Sequence, residues 1–486
     1  MSASDPFVRA SCGPWRYSDS WPWPAACSWS LCGSTSGATG RPSSPGRRRA
    51  DRGMSRTNLL KFILVTLPLT NSVTLPVGFP LKLYEVAGLL LLGGVLTGPG
   101  VVPRNNGRVV ALWGVFFFIS LVPSAWGLYE LAANPRPLLE WAHGRYHPLI
   151  NTVFHYCYLA LDIGLLLVAL DALGRGWLTL RAFCRAWAWG ALLSVVYAIW
   201  LNVVVGAGLP LVAALRWDEV NFFGVAGMQV VRTGPFEEGN FFGLYLLVSL
   251  TVIYHALRCW PDRLFRVAAP AVLMGMVLTA SPAALLGGVV LTGVAVVFGR
   301  VSRMVRGITL AAGVLGVVGL VGSGLFQSLV LDKFSLIFYG GVTDSRNVSL
   351  VQRANESWHA WQMFVHRPWG VGMGNYGYFF GDYPDLYRWL PTNWMNFKPI
   401  PNNVYLEVLA EHGLVGFVLF MAILGRKLWR LVRAREFLVM VGFLLMGVYF
   451  FAFPTFRLAF IWLYWAFILA VGRDQDVQES PSRSVR

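Results

Sequence analysis

Leu325 to Gly416 is the longest polar interruption in the chain, and it closes on Asn402-Asn403-Val404-Tyr405-Leu406, where the next apolar run begins. Apolar runs follow one another on both sides of it. The insertion itself holds Arg346, Arg353, His359, His366, Arg367 and Lys398 among many Trp and Tyr. A chain built this way spans lipid repeatedly and does its chemistry in the polar loops between spans.

Composition agrees. The 486 residues are 56% hydrophobic and only 13% charged, about half the charged share of a soluble domain. These values predict an all-α polytopic membrane protein. The net charge of +16 does not imply nucleic acid. The basic residues lie in short clusters between apolar runs, where they set topology and can bind anionic lipid. Three of the six cysteines, Cys12, Cys27 and Cys32, fall in the first fifty residues. Neither a metal spacing nor a disulfide framework emerges, and no cofactor is implied.

A crossing helix needs about 20 apolar residues. The expected spans are Leu59–Leu75, Leu83–Leu96, Val109–Val122, Val153–Leu170, Ala188–Val205, Asn240–Leu257, Leu264–Ala280, Pro282–Phe298, Ile308–Gly324, Asn403–Leu424, Phe437–Ala452 and Phe456–Val471. That makes about 12 transmembrane helices, with a large, partly helical loop between spans nine and ten. Alternate connections carry Arg104 and Arg108, then Arg175, Arg181 and Arg185, then Arg258, Arg263 and Arg266, then Arg300, Arg303 and Arg306, then Arg426 through Arg435. By the positive-inside rule that side is cytoplasmic and both termini are inside. Loops 123–151, 206–239 and 325–402 then face outward.

Residues 1–53 differ from the rest. They are rich in Ser, Pro, Gly and Arg and lack periodicity. They read either as a disordered tail or as a mis-assigned extension upstream of a start at Met54, with 54–486 forming one transmembrane domain.

Within the outer loops, Val231-Arg232-Thr233-Gly234-Pro235-Phe236-Glu237-Glu238 reads as a rigid turn that aims Arg232. The bland alternative is an arginine snorkelling to the headgroups. Ser349–Phe364 has the pattern of an amphipathic helix. In it Arg353 either faces a ligand or pairs with Glu356 at i,i+3. His366-Arg367-Pro368-Trp369-Gly370-Val371-Gly372-Met373-Gly374 lacks the strand and the Lys-Ser/Thr of a nucleotide loop. It reads as a tight irregular turn, with His366 structural or a base. Asn402 and Asn403 either hold sugar hydroxyls or cap the helix that follows. Glu407 and Glu411 lie one turn apart near the outer end of the tenth span, and Arg457 just inside the last; such charges mark function or a polar cavity.

Arg232-Thr233-Gly234-Pro235-Phe236, Asn240-Phe241-Phe242-Gly243, Leu278-Thr279-Ala280-Ser281, His366-Arg367-Pro368-Trp369-Gly370 and Asn403-Val404-Tyr405-Leu406 through Gly416 occur in this order. The pattern resembles the O-antigen ligase and O-antigen polymerase family, with related exopolysaccharide polymerases. The resemblance implies a metal-independent, GT-C-like glycosyltransferase of the bacterial inner membrane. It implies transfer of glycan from undecaprenyl diphosphate at the periplasmic face, either to a growing polysaccharide or, as a ligase, to lipid A-core. It places Arg232 and Arg353 at the catalytic centre; Asn402, at the family's His position, is a third catalytic candidate, and Asn403, Glu237, Glu238, His366 and Tyr405 are candidate substrate contacts. Partners would be the lipid-linked glycan, its acceptor, membrane lipids and other polysaccharide-assembly proteins. Two positions depart from the family: Asn402 stands where ligases carry His, and Ser281-Pro282 where relatives often have Ser-Arg. Asn cannot act as a base near neutral pH, which favours the polymerase branch and leaves Glu237, Glu238, His359 and His366 as candidate bases. A transporter is disfavoured because no internal repeat is present. A non-catalytic scaffold is the remaining alternative. The enzymatic reading requires Arg232 and Arg353 to converge at one surface.

Overall fold

The computed structural model describes residues 45–72, 74–76, 80–96, 107–135, 140–141, 144–145, 147–216, 220, 222–225, 228–298, 348–387, 399–454 and 456–478. The expected ninth span, Ile308–Gly324, and the loop residues 325–347 and 388–398 lie outside them, as do residues 1–44. The division of the chain into an extension and a transmembrane domain therefore remains an expectation.

The fold is helical. Helix α1 covers Pro45–Thr66, α2 Leu83–Leu96, α3 Gly107–Ala133, α4 Pro148–Gly174, α5 Leu180–Gly206, α6 Gly239–Cys259, α7 Arg263–Leu278 and α8 Pro282–Phe298. After the loop come α9 (Val348–His366), the single turn α10 (Tyr376–Phe379), α11 (Val404–Arg433), α12 (Phe437–Tyr449) and α13 (Ala459–Gln478). Antiparallel pairs β1–β2 (Thr74–Pro76 with Pro80–Lys82), β3–β4 (Glu140–Trp141 with Gly144–Arg145) and β5–β6 (Phe222–Val225 with Met228–Val231) decorate the connections. Five described helices, α3, α4, α5, α6 and α11, are long and apolar enough to cross a membrane. Shorter apolar helices include α2, α8, α12 and the first part of α13.

Four expectations are corrected. The first span stops at Thr66 rather than Leu75, where Pro68 removes a backbone donor and ends the ladder. The third continues past Val122 through Pro123 to Ala133, so the first outer loop is shorter than its composition suggests. The last begins at Ala459, leaving Arg457 in the connection ahead of it. The tenth is broken: Gly413 inside α11 adopts φ 69° and ψ −173°. A backbone with positive φ is a glycine conformation.

Helix starts follow local chemistry. Thr179 caps α5 by accepting from Ala182 N at 3.2 Å, and Asp262 caps α7 by accepting from Leu264 N at 3.2 Å. Asn403 caps α11 by accepting from Tyr405 N and Leu406 N at 2.9 and 3.1 Å. Such caps contribute about 1 kcal/mol each.

Helix α6 is the central post. It packs against α5, α7, α8 and α12, and its side chains from Phe242 to Ile253 are almost all buried. A helix apolar on all sides belongs in the middle of a bundle. Around it α4 lies on α13 and α3 on α11. Trp113, Phe116, Phe420, Phe456, Trp462 and Trp465 form an aromatic cluster that joins α3, α11 and α13.

The break at Gly413 receives the loop. Val371 N donates to Ala410 O and Gly372 N to Glu411 O, both at 2.9 Å, while Leu414 N donates to Pro368 O at 2.9 Å. The interruption frees helix carbonyls that the Pro368–Gly374 turn then satisfies. Gly370, Gly372 and Gly374 all have positive φ, so the expected irregular turn is present. This docking sets the position of α9 over the bundle.

Candidate active site

Arg232 sits at the end of a turn built to hold it. The carbonyls of Gly234 and Phe236 accept from the buried Arg216 guanidinium at 2.7 and 3.1 Å. Pro235 O accepts from Thr70 Oγ1 at 3.0 Å and from Asn71 N at 2.9 Å. Arg216 is fully buried and uses its charge to fix backbone, which sequence reading did not single out. The turn delivers the half-buried Arg232 side chain to the start of α6, where Arg232 Nη2 lies 3.4 Å from Asn240 Oδ1. Gly239 makes the space: a Cβ there would stand 2.5 Å from Arg232 Nε.

Arg353 approaches the same place from α9. Its Nη2 lies 3.7 Å from Glu238 Oε1, and its Nη1 donates to Ala452 O at 3.4 Å. Glu238 Oε1 in turn accepts from Asn240 Nδ2 at 2.6 Å. The two arginines, from segments far apart in sequence, therefore meet at Glu238-Gly239-Asn240. The proximity is electrostatic as well as geometric: burial pulls the Arg232 guanidinium below its usual value, Glu238 opposes this and Arg353 adds to it. Arg353 forms its ion pair with Glu238 rather than with Glu356.

The floor of the cluster comes from the α7–α8 turn. Ser281 Oγ donates to Asn240 Oδ1 at 3.0 Å and lies 2.8 Å from Tyr449 Oη. Ala280, just before it, holds φ 47°, a conformation that costs a residue with a Cβ about 1–2 kcal/mol. Sequence-remote segments from α6, α7–α8, α9 and α12 thus share one polar point.

One helical turn beyond Arg353, Glu356 is buried, at 2% exposure. Its Oε1 accepts from Gln352 Nε2 at 3.0 Å, and its Oε2 accepts from Asn402 Nδ2. Burial pushes its carboxyl up to about 7, although Asn402, Gln352 and Arg353 all favour the charged form. A buried carboxyl poised near neutrality, one helical turn from Arg353, is a candidate proton acceptor. The sequence signalled Glu356 only as a partner for Arg353; its burial depends on the docking of α9 on α11.

The remaining sequence candidates separate. Asn403 spends its oxygen on capping α11. Tyr405 donates its hydroxyl to Gly447 O at 2.8 Å, tying α11 to α12. Glu237 is exposed beside Glu238. His366 closes α9, donating Nδ1–H to Gln362 O at 2.9 Å. His359 is buried between Phe380 O and Asp385 Oδ1, 2.9 Å from each, and so has a structural post. Arg367 pairs with Glu130 and Asp382 and stacks on Phe379, which pins the loop to α3. No group of three or more metal-ligating side chains is present among the described residues.

Residues 267–421 match the family described as O-antigen ligase. The match covers the α7–α8 turn, α9, the Gly413 break and the first half of α11, which includes Ser281, Arg353, Glu356 and Asn402. A search of curated proteins finds no match.

Proposed function

We propose that this chain, whose residues 267–421 belong to the O-antigen ligase family, transfers glycan from undecaprenyl diphosphate at the periplasmic face of the inner membrane. Its membrane character rests on the apolar helices together with the family assignment. The finer reading, a GT-C-like bundle of about 12 spans with both termini cytoplasmic, is supported by span length and the spacing of basic clusters.

The convergence of Arg232 and Arg353 on Glu238-Gly239-Asn240 carries this reading. Guanidinium groups suit diphosphate because their charge is fixed and their donors match phosphate oxygens. The Arg353–Glu238 pair is open to solvent and long, at 3.7 Å. An exposed pair of this kind contributes about 0–1 kcal/mol, so a diphosphate readily takes the place of the carboxylate. In the reaction the acceptor hydroxyl oxygen bonds to the donor sugar's anomeric carbon while the bond from that carbon to the diphosphate oxygen breaks. Both arginines spread the charge that develops on the departing diphosphate. The hydroxyl proton passes to Glu356, whose Oε2 the acceptor reaches by taking over the position of the Asn402 amide.

Polymerisation is favoured over ligation to lipid A-core. Asn402 has no titrating group, and in this chain it serves the buried Glu356. Incubating purified protein with a diphosphate-linked oligosaccharide lipid tests the reading. Longer chains are expected from the unaltered protein and about a hundredfold fewer, or none, from Arg232→Ala or Arg353→Ala. Undiminished product from either variant refutes the clamp. Transfer only to added lipid A-core selects ligation.

A further inference from the structure

The opposite end of α6, about 30 Å from the arginines at 1.5 Å per residue, holds a second cluster. Cys259 closes the helix and is exposed. One turn earlier His255 is 3% exposed, and its Nε2 lies 3.6 Å from Cys259 Sγ. On the far side of the ring, His255 Nδ1 lies 3.6 Å from Glu436 Oε2. Glu436 is held there by the tight α11–α12 connection, where Arg435 adopts φ 51° and Glu436 N donates to Leu431 O at 3.1 Å. Arg258 pairs with the same carboxylate. Thiol, imidazole and carboxylate therefore stand in series, with the thiol outermost.

We propose that Cys259 is a nucleophilic thiol activated by His255 and Glu436, and that it takes low-molecular-weight disulfides. The i,i+4 spacing brings Sγ and Nε2 onto one helix face. A thiolate, not a thiol, is the nucleophile, and an adjacent imidazolium or arginine stabilises it. The imidazole is buried while the sulfur is open, which is the arrangement a base needs when its partner must meet a solute. In the exchange, His255 Nε2 takes the Sγ proton and the thiolate attacks one sulfur of the disulfide. A mixed disulfide forms on Cys259. The other half leaves as thiolate and receives the proton from His255, so Cys259 is oxidised as the small disulfide is reduced. The charged and titratable groups around the sulfur are His255, Glu436 and Arg258, with the buried Cys184 of α5 within electrostatic reach.

The test uses the full chain in detergent. Iodoacetamide labelling of Cys259 is followed by peptide mass between pH 6 and 9. The native rate is expected to change little from pH 6.5 to 8, whereas in the denatured chain it climbs about tenfold per unit, as for an ordinary thiol. His255→Gln should restore the steep profile. Oxidised glutathione should add one mixed disulfide, absent from Cys259→Ser. A native profile that parallels the denatured one, or no glutathione adduct, overturns the proposal, even if His255→Gln fails to fold.

Discussion

Glu238 Oε1 lies 3.7 Å from the Arg353 guanidinium and accepts from Asn240, the residue that also faces Arg232. In the proposed reaction that carboxylate gives way to a diphosphate held by both arginines. Because the pair is open to solvent, Glu238→Gln should change thermal stability by about 0.5 kcal/mol or less. Arg353→Ala should lower transfer by about a hundredfold or more while leaving folded yield intact. Arg353→Lys should recover only part of it, because an ammonium does not reproduce the planar fork. Product formation in membranes, normalised to protein, measures each. Equal activity of Arg353→Ala and the unaltered chain would assign the arginine to the fold alone.

Glu356 makes the site sensitive to pH. Its folded-state carboxyl titrates near 7, pushed up by burial, and its unfolded value lies near 4.3. The folded state therefore binds the extra proton between these values. Its contribution to stability is fully present below about pH 4.3 and is lost as pH rises through 7. Glu356→Gln should flatten that part of the stability curve, read by melting in detergent from pH 5 to 8. As a proton acceptor, Glu356 works in its charged form, so transfer should rise with pH through about 7. The rise should vanish in Glu356→Gln along with most of the rate. A rate-pH profile unchanged by the substitution would remove Glu356 from the reaction.

The helical architecture was legible because apolar runs near 20 residues match the thickness of a bilayer core, and the arginine clusters fall between them. Local pattern left Arg232 and Arg353 open to bland readings, headgroup snorkelling and a pair with Glu356; the family resemblance singled them out, and the fold brings them to Glu238-Gly239-Asn240. Three features were not. The fate of Asn402 depends on where α9 docks, which no local pattern encodes. Arg216 looked like any loop arginine, yet it is fully buried and spends its donors on the Arg232 turn. Gly413 stood out with Gly416 as a Gly-x-x-Gly after the Asn pair, but not as a break in the span; its φ of 69° opens α11 to the Pro368–Gly374 turn. Long-range docking decides all three, and periodicity is silent about it.

Gly413→Ala tests that docking. A Cβ at this position would stand 2.4 Å from the backbone of Trp369, in a conformation side chains seldom adopt. Both effects oppose the loop, at a cost of several times the roughly 1 kcal/mol of an ordinary helix substitution. Proteolysis of the loop segment should accelerate and transfer should fall, while helix content by circular dichroism stays near that of the unaltered chain. Gly425→Ala, farther along α11 with open space around it, should leave all three readouts unchanged.

Arg457 donates Nη2–H to Glu407 Oε1 at 2.7 Å and also meets His155, which joins the entry of α13 to α11 and α4. Glu407 is buried and Arg457 nearly so. Removing one partner from such a pair leaves a charge without compensation and costs about 3–5 kcal/mol. Arg457→Met and Glu407→Met should each lower the melting temperature strongly. The double variant Arg457→Met/Glu407→Met should fall less than the two single effects added together, because no isolated charge remains. If the pair only holds the bundle, transfer per folded molecule should survive in the double variant. Loss of transfer with recovered stability would instead move Arg457 and Glu407 from scaffold to site.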